Sequence, residues 1–180
     1  MAGLARSWNT RMMKDYTQHL PMNCGSVAAV FALYGPNNPV PSSMDSELSR
    51  ERLPGMQIAY IINKAGVARI RAKFYDAGSK IPITDYSGGG ATRLEPVEFL
   101  QGLSNESFTE GVKDILTANK ARCMIISGQN DRGFHWQTYY IPLAGKDVRV
   151  YNGRAGWSPV VGGGTLGTPT GLILVSGPRM

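Results

Sequence analysis

The sequence predicts an α+β fold in which an N-terminal helical part packs on a C-terminal antiparallel sheet. Helical spacing of apolar residues prevails in the first two thirds of the 180-residue chain, whereas the last third consists of short β-prone runs separated by Gly, Asn and Asp. Helices and strands do not alternate in the rhythm that builds a parallel sheet. The length suits a single domain, and we expect residues 1–180 to form it.

The most sharply delimited element is a helix that begins at Cys24. Asn23 is a favourable N-cap, the residues up to Tyr34 are almost all apolar, and Gly35 followed by Pro36 stops the helix. A helix that is apolar on all sides belongs in the core of a domain. We therefore expect this helix to be buried under the sheet, with Cys24 in its first turn.

The remaining elements follow from periodicity and from breakers. Apolar residues at helical spacing predict helices around 43–52, 54–65, 95–103 and 107–118, and a glycine run at 87–90 predicts a loop. Partial alternation or short apolar runs predict strands at 67–75, 122–127, 136–143, 148–151 and 172–175.

Composition excludes several classes of protein. The chain is 42% hydrophobic and 18% charged, which is typical of a globular protein rather than a disordered one. No window approaches the ~18 apolar residues of a membrane span, and the N-terminus lacks the apolar core of a signal peptide. We expect a protein that is cytoplasmic as made, with no membrane span and with any export independent of a signal peptide. The net charge of +6 comes from scattered basic residues, so no nucleic-acid partner is expected.

Metal and cofactor sites are not predicted. Two cysteines and two histidines are present, but none of them forms the closely spaced pairs that hold zinc. The glycine-rich stretches at 88–90 and 162–164 lack the Lys-Ser/Thr of a phosphate-binding loop.

Cys24 is the candidate nucleophile. The N-terminus of a helix presents unpaired N–H groups and the positive end of the helix dipole, which stabilise a thiolate. Gly25 beside it adds no bulk, so a substrate backbone could approach the sulfur. The alternative is that Cys24 is a small core residue. Cys123 lies in an apolar run, Cys-Met-Ile-Ile, and is interpreted as structural.

His135 is the candidate base, and Asn152 is the candidate orienting group. His135 begins a β-prone run, so a sheet packed on the Cys24 helix could bring it to the thiol. Asn152 ends the next strand 17 residues later, where its side-chain carbonyl could fix the imidazole tautomer. The alternatives are an ordinary strand histidine, an Asn-Gly turn, and Asp147 as the orienting group.

Gln18 is the candidate oxyanion donor, because its amide could act with the backbone N–H of Cys24. The alternative is a surface glutamine. His19 competes with His135 for the role of base, but Pro21 lies between it and the cysteine, and His135 is preferred because a base must also meet an orienting group.

These residues resemble a known family. Gln18, then Cys24-Gly25-Ser26, then His135 and finally Asn152 follow the order and spacing of papain-like cysteine peptidases. The stretch 18–35 is similar to the compact bacterial branch, which includes papain-fold effectors and toxins and the peptidase domains that remove double-glycine leaders. Asn152 is followed by Gly153, where leader peptidases carry Asp-Pro.

The resemblance implies a papain-like fold and a hydrolase with a Cys–His–Asn triad, a thiol protease that needs no cofactor. Its substrate would be a protein, a peptide or a peptidoglycan peptide. A bacterial effector or toxin of this kind could be matched by an immunity or inhibitor protein. Glutamine deamidation, peptidoglycan amidase activity and a catalytically silent binding module remain open as alternatives on the same fold.

Overall fold

The computed structural model describes residues 12–16, 20–84, 91–131, 133–153, 156–159 and 166–180. It confirms the α+β class. The helices are α1 (Cys24–Tyr34), α2 (Asp45–Leu48), α3 (Gly55–Lys64), α4 (Pro96–Gln101) and α5 (Asn105–Ala118). The strands are β1 (Arg71–Asp76), β2 (Ile81–Thr84), β3 (Ala91–Leu94), β4 (Ala121–Asn130), β5 (Gly133–Tyr140), β6 (Arg149–Asn152), β7 (Gly156–Pro159) and β8 (Thr168–Ser176).

Six of the strands form one antiparallel sheet in the order β1-β8-β4-β5-β6-β7, and β2 and β3 form a separate hairpin. The β4–β5–β6–β7 part follows the chain order, so short turns suffice to connect it. The last strand, β8, instead lies between β1 and β4. Two helices, α4 and α5, lie between β1 and β4 along the chain, so the helical and sheet parts are less separate than the sequence predicts.

Alternation along the strands gives the sheet two apolar faces. Cys123 and Ile125 of β4 belong to one buried cluster, which also contains most of α1, whereas Met124 and Ile126 belong to a second cluster with residues of α4 and α5. Successive side chains of a strand point to opposite faces, so β4 contributes to both cores. The sheet is therefore covered by helices on both sides.

Helix α1 has the predicted bounds, and ten of its 11 residues are buried. Asn23 stands at the predicted N-cap position, but its side chain does not cap the helix. Its Nδ2 instead donates to the carbonyl of Leu48 at 2.8 Å, because the α2 segment packs against the start of α1. This contact fixes the beginning of α1 relative to its neighbours and leaves the N–H groups of the first turn uncapped by a side chain.

The other predicted elements are confirmed in part. Helices are found within or near 54–65, 95–103 and 107–118, while the one expected at 43–52 shrinks to a single turn at Asp45–Leu48 that follows a 3₁₀ turn. Strands at 67–75, 122–127, 136–143, 148–151 and 172–175 are present with shifted bounds, whereas β2, β3 and β7 were not predicted. The loop expected at 87–90 lies outside the described residues.

In the described part of the chain, no helix has the length and the apolar character needed to cross a membrane.

Candidate active site

Cys24 is the first residue of α1, and its side chain is 7% exposed. No acidic residue occupies the first turn of this helix, so the positive end of the helix dipole is not offset there. The first intrahelical bond runs from the N–H of Val27 to the carbonyl of Asn23. The thiol therefore lies beside the uncapped N–H groups that the sequence predicts.

Gly25 has a packing role besides the predicted one. A Cβ built on Gly25 would lie 2.9 Å from Cδ1 of Ile58 and 3.4 Å from Cβ of Leu53. The missing side chain thus allows α1 to pack closely against α3 and the residues before it. Gly25 serves the packing of the helix that carries Cys24, in addition to lining the cavity beside the thiol.

The structure brings His135 and Asn152 together. His135 lies on β5, is 3% exposed, and its Nε2 is 2.6 Å from Oδ1 of Asn152 on β6. In the register of the two strands, Asn152 stands opposite Gln137, two residues along from His135 on the same face. Side chains in this diagonal relation can reach each other. The predicted pairing of these two residues is confirmed.

This hydrogen bond selects the tautomer of the imidazole. An amide Oδ1 can only accept, so Nε2 of His135 must carry the proton that is donated. In the neutral ring Nδ1 then holds the lone pair and is the nitrogen able to take a proton from a thiol. This is the contact that the predicted orienting group would make.

The hydrogen bond to His135 comes from Asn152 and not from Asp147, the alternative orienting group. Asp147 lies in the turn before β6 and is exposed. The geometry therefore favours the amide for the orienting role, which stays a prediction.

Cys24 opens onto a cavity of about 640 Å³. Its wall combines residues from the start of α1, from the segment before α3, and from strands β1, β4, β5 and β8. The two hydroxyl groups in the wall belong to Ser127 and Thr170, whose oxygens are 2.7 Å apart. The lining residues are Met22, Cys24, Gly25, Arg52, Leu53, Pro54, Phe74, Ser127, Phe134, Trp136, Thr170 and Gly171.

His135 lies on the other face of the sheet from this cavity. Phe134 and Trp136 line the cavity together with Cys24, whereas His135, between them, does not. Side chains alternate along an extended strand, so His135 points to the same face as Tyr139, which packs in the cluster of α4 and α5, and there it meets Asn152. The hydrogen bonds of the described residues include none between Cys24 and His135, so the thiol–imidazole contact stays a prediction.

Gln18 and His19 lie outside the described residues, so the oxyanion donor and the competing base stay predictions. The chain just before them is held in place, because Oη of Tyr151 donates to the carbonyl of Tyr16 at 2.6 Å. The ring of Tyr151 also stacks on Phe31 of α1, with centroids 4.1 Å apart and an interplanar angle of 8°. One side chain therefore ties β6 both to α1 and to the segment that leads to Gln18.

Cys123 is a structural residue, as predicted. It is fully buried, and burial raises the pKa of its thiol to about 12. Both cysteines are free thiols. Among the described residues, no group of three or more His, Cys, Asp and Glu side chains is placed to hold a metal ion.

Several residues of the site carry no signal in the sequence. Ser127 lies in an apolar strand, Phe74 in a strand 50 positions from Cys24, and Leu53 in a loop, and only the fold brings them to Cys24. Tyr151 could have been noticed, since it precedes Asn152 directly.

No family model matches the sequence, and no curated protein matches it significantly.

Proposed function

We propose that the protein is a papain-like cysteine hydrolase that cleaves amide bonds, with Cys24 as nucleophile, His135 as base and Asn152 as the orienting group. The observation that carries the proposal is the 2.6 Å hydrogen bond between Nε2 of His135 and Oδ1 of Asn152. It leaves Nδ1 as the basic nitrogen, as a histidine base requires. The pairing of His135 with Cys24 rests on the resemblance to papain-like peptidases, because alternation along β5 directs the His135 side chain away from the cavity at Cys24.

The reaction would proceed in two steps. In the first, the proton of the Cys24 thiol passes to Nδ1 of His135, and the sulfur attacks the carbonyl carbon of the substrate. The C–N bond then breaks, the imidazolium gives its proton to the leaving nitrogen, and a thioester remains on Cys24. In the second step His135 takes a proton from water, the hydroxide adds to the thioester, and the acid leaves as the thiol is restored.

The negative oxygen that forms in each step needs donors. The uncapped first turn of α1 supplies the backbone N–H of Cys24, and the amide of Gln18 is proposed as the second donor. Removing one such donor typically costs about 10²–10³-fold in rate.

The cavity favours a peptide substrate over a small polar amide. Leu53, Phe74 and Trp136 give it an apolar wall beside the thiol. Burying an apolar side chain of the substrate there would contribute about 1.5–3 kcal/mol to binding. We therefore propose a protein or peptide in which an apolar residue lies near the bond that is cleaved.

Turnover of a mixed substrate panel tests this function. The panel combines peptides with an internal apolar residue, peptides with an internal glutamine, and fragments of peptidoglycan. Mass spectrometry would separate cleavage from deamidation, which changes the mass by about one unit without cutting the chain. Wild type should cleave apolar peptides and Cys24→Ala should not, while Cys123→Ala, which removes the other thiol, should remain active. Cleavage by Cys24→Ala at the wild-type rate would exclude the proposed nucleophile.

A further inference from the structure

A second cavity, of about 540 Å³, shares no lining residue with the one at Cys24. Its wall is formed by the end of α5, the start of β4, the segment after β5 and the C-terminal tail. The residues that line it are Lys113, Leu116, Thr117, Lys120, Ala121, Ile141, Gly145, Lys146 and Arg179. Four of these nine are cationic and none is acidic.

Three of the four cations in this cavity, Lys113, Lys120 and Lys146, take part in no salt bridge with another described residue. Like charges gathered on a concave surface repel one another and raise the local potential, which attracts an anion. Lysines at a helix C-terminus also interact favourably with the helix dipole, but Lys146 and Arg179 belong to other segments.

The guanidinium of Arg179 is oriented by hydrogen bonds to three backbone carbonyls. Its Nε donates to the carbonyl of Ile141 at 3.3 Å, and its Nη2 donates to the carbonyls of Pro142 and Gly145. These bonds fix the plane of the guanidinium and do not use Nη1. A guanidinium that is already oriented loses little conformational freedom when it binds an anion.

Lys120 is present despite an unfavourable backbone. It follows Asn119, the C-cap of α5, and its φ of 48° lies in the left-handed region that favours glycine. Glycine would suit this position better, yet the chain places an ammonium group there, beside the cavity.

The floor of the cavity is apolar, being formed by Leu116, Ala121 and Ile141. A cavity of this size, with apolar walls and a few polar groups, is typical of a small-molecule site. A phosphate monoester carries close to two negative charges at neutral pH and three acceptor oxygens. It matches four cations better than a single carboxylate does, and an apolar body attached to it would cover the floor.

We propose that this cavity binds a phosphate monoester that carries an apolar group. The proposal does not depend on the hydrolase activity. A soluble metabolite and a lipid with a monoester headgroup share this chemistry, and the experiment separates these two sources.

Binding of phenyl phosphate, measured by calorimetry or by NMR shift changes, tests the site. Phenyl phosphate should bind at least about tenfold more tightly than inorganic phosphate, because only the ester covers the apolar floor. Benzyl alcohol, which has the ring without the charge, should not bind detectably. Vesicles containing phosphatidic acid form the second arm: retention of the protein on them would indicate a lipid as the source, and binding of phenyl phosphate alone would indicate a soluble ligand.

Two glycine variants make the test specific. Lys120→Gly removes a cation of the cavity and relieves its backbone, so it should raise the melting temperature and weaken phenyl phosphate binding about tenfold. Arg69→Gly is the matched control, since Arg69 is also basic, has a φ of 68° and does not line the cavity. It should gain stability and keep the wild-type affinity. Equal losses in the two variants, or no loss in Lys120→Gly, would overturn the proposal, as would equal binding of phenyl phosphate and inorganic phosphate.

Discussion

At the scale of single residues, the two cysteines of this protein lie in opposite environments. Cys24 begins a helix and borders a cavity, whereas Cys123 is enclosed in the central strand of the sheet. Residue type alone does not distinguish them. The sequence distinguishes them because it predicts that a helix begins at Cys24.

Alkylation should separate the two thiols. Burial raises the pKa of Cys123 to about 12, so below pH 8 almost none of it is thiolate, and reagent cannot reach it in the folded state. Iodoacetamide should therefore label Cys24 at least about tenfold faster, as followed by mass spectrometry of tryptic peptides. Equal rates in the native protein would mean that Cys24 is an ordinary core thiol.

Asn152 and Asp147 form a matched pair for a second residue-scale prediction. Asn152→Ala should lower kcat/KM about 10- to 100-fold, because the imidazole loses the partner that holds its tautomer but keeps its own basic nitrogen. Asp147→Ala should leave kcat/KM unchanged, since Asp147 is an exposed turn residue. Kinetics with any substrate found in the panel would measure both. A loss in Asp147→Ala alone would contradict the assignment of the orienting group.

At the scale of elements, the sequence predicts the helices and strands that are defined by local signals. The core helix has the bounds that Gly35 and the run of apolar residues from Cys24 onward predict. The hairpin of β2 and β3 was missed, because Pro82 and the glycines at 88–90 indicate a loop. Strand β7 has only four residues, from Gly156 to Pro159, and is recognisable only by its pairing with β6.

The side chain of Asn23 shows how tertiary contacts override a local rule. A cap is worth about 1 kcal/mol, which a bond from Asn23 to a buried carbonyl can equal. As a result, no Asn23 side-chain oxygen accepts from the N–H groups in the first turn of α1, and they can donate to another acceptor. In the proposed mechanism that acceptor is the substrate.

The other end of α1 depends on Arg122 of β4. Its Nε donates to the carbonyl of Ala32 at 2.6 Å, its Nη2 to that of Leu33 at 3.0 Å, and its Nη1 to that of Pro178 at 2.7 Å. One guanidinium thus satisfies the last turn of the core helix and joins it to the C-terminal tail.

Arg122→Met should destabilise the fold by about 3 kcal/mol or more, because it leaves three carbonyls without their donors. Arg71→Met is the control, since Arg71 is exposed and its guanidinium bonds only the carbonyl of its neighbour Ile70 among the described residues. Urea denaturation should show a large fall in the midpoint for the first variant and a small change for the second. Similar midpoints would mean that water replaces the guanidinium at little cost.

Tyr151 should couple the N-terminal segment to catalysis. Tyr151→Phe removes only the hydroxyl that holds the carbonyl of Tyr16, two residues before Gln18. If that bond positions Gln18, the variant should lower kcat about tenfold in the wild-type background and have no effect in a Gln18→Ala background.

Tyr139→Phe serves as the control for this coupling. It also removes a buried hydroxyl, the one that donates to Gln137 on the other face of the sheet, so its effect on kcat should be the same with and without Gln18→Ala. Independent, additive effects of Tyr151→Phe and Gln18→Ala on kcat would show that Tyr151 is structural only.

At the scale of the whole molecule, the class of fold was predictable and the sheet order was not. Insertion of β8 between β1 and β4 joins residues about 100 positions apart, for example Arg71 opposite Ser176, and no local pattern contains such a pairing. The cavity at Cys24 depends on that order, because Phe74 comes from β1 and Gly171 from β8. The residues proposed to be catalytic could be named from sequence, but the surface that would select a substrate could not.

The residues of the proposed reaction centre are predictable from sequence, whereas the lining of the cavity at Cys24 is defined only by the folded structure. The hydrogen bond of His135 with Asn152 is formed, and the cooperation of His135 with Cys24 is the central claim that stays to be measured. This cooperation is measured most directly with a reagent that adds to a thiol only when a proton donor is present. A peptidyl vinyl sulfone is such a reagent, whereas iodoacetamide needs no proton from the protein.

The decisive measurement is the rate at which a vinyl sulfone with an apolar peptide modifies Cys24 in wild type and in His135→Ala, followed by intact mass. If His135 delivers the proton, the variant should react about 10²-fold or more slowly with the vinyl sulfone. Circular dichroism should show the same fold for both proteins. Equal rates of vinyl sulfone addition in the two folded proteins would contradict the account, because Cys24 would then react without His135.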